Sequence, residues 1–304
     1  MKRVSAFSSY SARNPSRLIW LLLPILYVST AANAQTKVIP LYKGVAPGSE
    51  GWNWKEGETS NTPMKMKVAY NVTQPTLTVY TPDTANGAAV ILFPGGGFRV
   101  LNMEGEGSLI ANAFIKKGIT VFVLKYRVLQ SHTNDPFQET LNSLKDTQKL
   151  RQETALIREL ANDDANAALQ HVRQHAADYN INPQKIGIVG FSAGGALAIR
   201  LSPDASVTSR PDFAAFIYSV YNPEMYDPIP ANAPSAFIAC ATDDVLASPG
   251  NSIRLYNAWL AAKRPVELHI YAKGGHGLRG NEASGNWINR FTEWLNTQNI
   301  ISLK

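Results

Sequence analysis

Between Lys185 and Gly195 the chain reads KIGIVGFSAGG. The run Ile186–Gly190 has strand length and ends in glycine, and Ala196, Leu197, Ala198 and Ile199 suit a helix. Between them, Gly190-Phe191-Ser192-Ala193-Gly194 fits G-x-S-x-G. A strand, a sharp turn and a helix in that order hold the serine out at the strand tip. Glycines flank it because a Cβ there meets the neighbouring strand and helix. The Ala193 N–H opens the helix and points at whatever Ser192 attacks. Few folds supply this setting; an alternating α/β chain with a parallel sheet does.

The flanking chain has that rhythm. Ala88–Phe93 and Ile119–Tyr126 are continuous apolar runs, as in strands buried on both faces. Gly107–Lys117 is a predicted helix between them, with Leu109, Ile110, Ala113 and Phe114 on one side. Strand, helix, strand implies a right-handed crossover. Further strands are predicted at Phe213–Val220, Ala236–Ala241 and Val266–Tyr271. Helices are predicted from Asp163-Asp164 to about Ala177, over Gly250–Ala262 with Ile253, Tyr256, Trp259 and Leu260 inward, and over about Ala283–Asn299. Val68–Thr73 and Thr76–Tyr80 alternate and are expected to pair as a hairpin-like unit. Residues 35–67 read as an extended arm. Val128–Ala161 is a polar excursion, either a solvated surface segment or a flap over the site. The expectation is one α/β domain over 35–304, with a mostly parallel central sheet and helices on both faces.

Residues 1–34 differ from the rest. Lys2, Arg3, Arg13 and Arg17 occur with no acid before Glu50, and Leu18–Val28 is apolar but short for a span. Ala32-Asn33-Ala34 fits a cleavage site, so a signal peptide cut after Ala34 is expected, with export to the periplasm or the medium and no stable membrane anchor in the mature form. The 304-residue chain has 29 Lys+Arg against 23 Asp+Glu, and four of the cations lie in this leader. The remainder is close to neutral and carries no basic stripe, so a nucleic-acid partner is not expected. Cys240, in an apolar strand, has no second cysteine to pair with and reads as a buried thiol.

A serine hydroxyl needs a base to take its proton, and the base needs an acid to fix its tautomer. In a doubly wound sheet, loops at the carboxyl ends of the strands gather on one edge. After Ser192, those loops hold Asp243-Asp244 and then His276 within Gly274-Gly275-His276-Gly277. That chain order is the one such a fold uses. His132, His171, His175 and His269 lie in the excursion, on a helix and in a strand, and fit less well. Either aspartate can serve as the acid on spacing alone, the other bonding to turn amides. Pro94-Gly95-Gly96-Gly97 ends an earlier central strand, where further N–H donors to an oxyanion are expected. It lacks the spacing of a nucleotide loop, and neither H-E-x-x-H nor paired cysteines occur, so no metal or cofactor is expected. Trp52, Trp54, Tyr221 and Trp287 either line a sugar site or pack as aromatic core.

Assembled, these residues resemble the α/β-hydrolase superfamily. More narrowly, the chain is similar to secreted bacterial esterases related to acetyl xylan and feruloyl esterases, close to the hormone-sensitive-lipase-like branch. The likeness runs from about Val38 to Asn296. It is carried by Asn71-Val72-Thr73, Pro75-Thr76-Leu77, FPGGGF at 93–98, LKYR at 124–127, IGIVGFSAGG at 186–195, RPDF at 210–213 and GGHG at 274–277. It implies an oxyanion hole of Gly96, Gly97 and Ala193. Aligning Asn251-Ser252 with the branch implies Asp244 as the acid. It also implies hydrolysis of short acyl esters, acetyl foremost, on a small-molecule or oligosaccharide substrate by Ser192, His276 and Asp244. Rival readings are a general carboxylesterase or lipase-like enzyme, a small serine peptidase on the same residues, and a non-catalytic carbohydrate-binding protein. Pro94 stands where many relatives have histidine, as does Ala196.

Overall fold

The computed structural model describes residues 37–203, 210–221, 228–279 and 285–302. The leader at 1–34 and residues 283–284 of the last predicted helix lie outside them.

The strands that bury both faces build the centre. β5 (Ala89–Phe93), β7 (Thr120–Lys125), β8 (Ile186–Phe191), β9 (Phe213–Ile217), β10 (Ser235–Ala241) and β11 (Val266–Tyr271) run parallel. At the other edge, β4 (Thr76–Tyr80) lies antiparallel to β7, and β1 (Lys37–Pro40) antiparallel to β4. The order is β1-β4-β7-β5-β8-β9-β10-β11. From the β5–β8 pair, the chain winds outward in both directions. That reversal is where an open α/β sheet leaves a crevice at its carboxyl edge.

A small sheet joins β2 (Gly57–Thr59), β3 (Val68–Tyr70) and β6 (Val100–Leu101). The expected hairpin of Val68–Thr73 with Thr76–Tyr80 is therefore corrected: β3 and β4 belong to different sheets. Asn71, at φ +54°, turns the chain between them. Alternation identifies a half-buried strand but not its partner. Likewise the arm at 35–67 contributes β1 and β2.

Helices cover both faces. α1 (Leu109–Ile115), entered through a π-helical turn at Met103–Ser108, and α7 (Trp287–Thr297) pack Phe114, Trp287, Phe291 and Trp294 on one side. α4 (Ala155–Gln174), α5 (Ser192–Leu201) and α6 (Pro249–Ala261) pack Leu160, Leu169, Leu197, Leu255 and Trp259 on the other. On α6 the buried side chains are Ser252, Leu255 and Trp259, while Ile253 and Leu260 are exposed; on α1, Leu109 is exposed. Phe114 and Trp259 are buried as expected, with Ile110 and Tyr256 packed against the core, so only Leu109, Ile253 and Leu260 depart from the expected faces. Within the excursion, α2 (Pro136–Ser143) and α3 (Thr147–Glu153) are capped by Asp135 and Asp146.

α4 starts eight residues before the expected Asp163-Asp164. Asp164 is no cap: it lies inside the helix, fully buried, against Arg127. Arg127 Nη2 donates to Asp164 Oδ1 at 2.8 Å and Nε donates to Oδ2 at 3.0 Å. The guanidinium also donates to the Pro47 carbonyl, Ser49 Oγ and the Leu160 carbonyl, and the Tyr42 hydroxyl donates to Asp164. One ion pair thus fastens the N-terminal arm, the end of β7 and α4. Removing one partner of such a pair strands a buried charge at a cost of about 3–5 kcal/mol. Arg127→Met is expected to lose that much stability in urea denaturation. Arg127→Met combined with Asp164→Leu is expected to recover part of it.

Candidate active site

Ser192 sits where β8 turns into α5, at φ +50°, in a left-handed conformation that costs a non-glycine residue about 1–3 kcal/mol. The turn exists because its neighbours lack side chains. A Cβ on Gly190 would lie 2.3 Å from the Gly194 carbonyl oxygen, and one on Gly194 would lie 2.0 Å from that of Phe93. α5 therefore starts directly against the end of β5.

His276 follows β11, in a loop bent by Gly275 at φ +57° and Gly277 at φ +108°. Ser192 Oγ lies 2.9 Å from His276 Nε2. His276 Nδ1 lies 2.9 Å and 3.1 Å from the two carboxylate oxygens of Asp244. An acceptor-only carboxylate puts the ring proton on Nδ1, which leaves Nε2 free to accept from the serine. Of the two aspartates after β10, Asp244 meets the ring. Its Oδ1 also accepts the amides of Leu246 and Ala247. Asp243 instead accepts the Gly275 N–H at 2.7 Å and fastens the histidine loop. Burial works against charge on Asp244, but the His276 ring and the Ala247 and Leu246 amides outweigh it and hold the carboxyl below its usual range.

Pro94–Gly97 follows β5, whose last residue, Phe93, pairs with Gly190. The N–H groups of Gly96, Gly97 and Ala193 take no hydrogen-bond partner among the described residues. Gly96 adopts φ +136°, and a Cβ there would lie 2.0 Å from the Val100 carbonyl oxygen. Ser192, His276 and Gly95–Gly97 share one cavity of about 270 Å³.

The remaining walls were not assigned from sequence. α2 contributes Phe137, Thr140, Leu141 and Leu144. Their i, i+3, i+4, i+7 spacing marks an apolar helix face and was a legible signal. The excursion is therefore a wall of the cavity, with polar residues on its outer side. Arg99 fixes it there, reaching Glu139 at 3.1 Å and Glu153 at 2.5 Å. Met64, Met66, Val68, Val220, Leu246 and Arg279 complete the lining. Glu106 also faces the cavity, and nothing local in the sequence marks it. None of the four aromatics considered for a sugar site lines this cavity. Trp52 and Trp54 stack on each other at 4.4 Å, while Tyr221 and Trp287 are buried. Trp287 packs edge-on against Phe114 and Phe191. His132, His171, His175 and His269 are absent from the lining, and Cys240 is a buried free thiol.

The fold matches a solved acetyl ester-xyloside bifunctional hydrolase from Caldicellulosiruptor lactoaceticus with a TM-score of 0.63, over 88% of this chain and 97% of that one, at 22% identity. The chain has the α/β-hydrolase fold. Residues 151–206, which include Ser192, match the BD-FAE family model. An acetylxylan esterase of Xylanibacter ruminicola is 28% identical over 229 residues, 66% of this chain and 42% of that protein. An endo-1,4-beta-xylanase B of Butyrivibrio fibrisolvens is 26% identical over 232 residues, 64% of this chain and 33% of that protein. The chain thus spans less than half the length of these two relatives.

A carboxyl lowered on folding contributes stability above its unfolded value, lost as pH falls through the folded one. The stability advantage of wild type over Asp244→Asn is expected to hold from neutral pH to about pH 4, the ordinary aspartate value, and to shrink only below it. Urea denaturation of both proteins at stepped pH measures it.

Proposed function

We propose that this α/β hydrolase is a secreted serine esterase that removes short acyl groups, acetyl foremost, from carbohydrate esters. The observation that carries the reading is the hydrogen-bonded row Ser192–His276–Asp244, with the unpaired amides of Gly96, Gly97 and Ala193 in the turns that flank Ser192. The named activity of the acetylxylan esterase relative supports the acetyl and carbohydrate parts. The basic and apolar leader at 1–34 supports export.

In this reading, Ser192 Oγ attacks the ester carbonyl as His276 Nε2 takes its proton. The carbonyl oxygen becomes an oxyanion and accepts from Ala193, Gly96 and Gly97. Each such donor is worth about 3 kcal/mol in comparable sites. Asp244 steadies the imidazolium. His276 then returns the proton to the departing alcohol oxygen, leaving an acyl-serine. A water, deprotonated by the same ring, attacks that ester and frees the acid and Ser192.

A second reading, a general carboxylesterase, is favoured by the apolar side chains of Met64, Met66, Phe137, Leu141, Leu144 and Leu246 around the cavity. Acetate release from acetylated xylan, set against hydrolysis of p-nitrophenyl esters of increasing acyl length, separates the two.

Ser192→Ala is expected to lower kcat on p-nitrophenyl acetate by at least about 1000-fold and to abolish labelling by a fluorophosphonate. Activity near wild type in that variant would remove both readings.

A further inference from the structure

Glu106 is a buried carboxylate that the ester-cleaving steps above do not use. It lies in the π-helical turn after β6, and its oxygens reach two separate parts of the site. Oε2 accepts the Gly95 N–H at 2.5 Å. Oε1 accepts the Tyr218 hydroxyl at 3.0 Å. Gly95 begins the glycine loop whose next two amides stand free, and a Cβ on Gly95 would lie 2.9 Å from Ser192 Cβ and 3.1 Å from Glu106 Oε2. Tyr218, just past the end of β9, presents its ring to His276 in a T-shaped contact at 5.0 Å. Tyr218 is itself at φ +39°, a conformation that only surrounding contacts can hold.

The neighbours of the carboxylate belong to the site. Burial pushes Glu106 above the ordinary carboxyl range, and the Gly95 amide, the Tyr218 hydroxyl, the His276 ring and Asn102 oppose that push. An apolar side chain would fill this space without desolvating a carboxylate. What it could not do is accept from both the glycine loop and the tyrosine. The Tyr126 hydroxyl, donating to the Pro94 carbonyl at 2.5 Å, steadies the peptide just before Gly95. The loop is thus gripped from both sides, and only the Glu106 grip extends to the histidine.

We infer that Glu106 is a positioning residue for ester cleavage: through Gly95 it sets the direction of the loop amides, and through Tyr218 it sets where the His276 ring rests. This rests on the esterase reading above. Misplacing reacting groups by about 1 Å can cost on the order of 100-fold in rate. The position of the amides matters when the oxyanion forms, so the effect falls on kcat and leaves substrate binding nearly intact.

The test compares E106L, E106Q and Y218F with wild type on p-nitrophenyl acetate, with the Gly95 amide proton followed by NMR. E106L is expected to lower kcat by about 100-fold with KM within about 3-fold. Y218F, which keeps the Gly95 contact, is expected to fall between E106L and wild type. E106Q can accept from Gly95 and donate to the tyrosine oxygen, and is expected to recover most of kcat. The Gly95 amide proton is expected far downfield in wild type and shifted upfield in E106L. A wild-type kcat in E106L, a loss confined to KM, or an unmoved Gly95 resonance overturns the inference. If E106L does not fold, wild-type kcat in Y218F overturns it. An inert wild type sinks the esterase reading and this one with it, whereas an active wild type with indifferent variants sinks this one alone.

Discussion

The site depends on the approach of Gly194 to the end of β5. With 2.0 Å left between a notional Cβ and the Phe93 carbonyl oxygen, only glycine lets the first turn of α5 close on that strand. That closeness brings the Ala193 amide alongside the loop carrying Gly96 and Gly97. Gly195 repeats the argument on the other side, where a Cβ would collide with Ser219 beyond β9. The strained backbone at Ser192 is then held by two neighbours in register, Phe93 beside Gly190 and Ile217 beside Phe191. Successive strands on that side deliver successive parts: Tyr218 after β9, Asp243 and Asp244 after β10, His276 after β11. Sheet order converts distance along the chain into adjacency at one edge.

The sequence displayed much of this because parallel strands buried on both faces are continuous apolar runs, and β5, β7, β8 and β10 are such runs. The glycines of the serine turn and of the glycine loop were legible for a similar reason, since each marks a backbone that tolerates no Cβ. What failed to show was set by distant partners. Asp164 has the composition of a helix cap, and only Arg127, 37 residues earlier, explains an acid inside α4. β3 and β4 carry the same alternation although they join different sheets, because period two reports one buried face and nothing about the neighbour. Asp243 and Asp244 are adjacent and chemically identical. A register in the fold decides which meets the ring, and a likeness to relatives had to stand in for it. Glu106 left no local trace, as its acceptors' partners lie 11 and 112 residues away.

The segment at 128–161 shows how a polar stretch can still shape a cavity. Its acids cap helices and pair with Arg99, and the residues left at helical spacing on α2 turn inward. Arg99 lies two residues past Gly97, with its amide donating to the Gly96 carbonyl at 3.1 Å. The cation that holds α2 and α3 is therefore part of the turn that carries the free amides. Thr140 Cγ2 stands 3.6 Å from where a Gly97 Cβ would be, so wall and donors are in mutual contact. A change at Arg99 should reach both together.

Two carboxylates near His276 have opposite shifts, and the difference comes from what surrounds each. Asp244 is buried, but two amides and an imidazole N–H converge on it, and its charge is favoured. Around Glu106 the Gly95 amide, the Tyr218 phenol, the His276 ring and Asn102 also favour charge, but burial is complete and desolvation prevails. Environments that push like groups apart assign them different work. An acid held ionised beside the imidazole can balance the positive charge that forms there. An acid whose charge is disfavoured is poor at that task but well placed to fix donors, since hydrogen bonds in a site of low dielectric are strong and directional. In the proposed esterase, the separation between the two groups would be a division between stabilising charge and holding geometry.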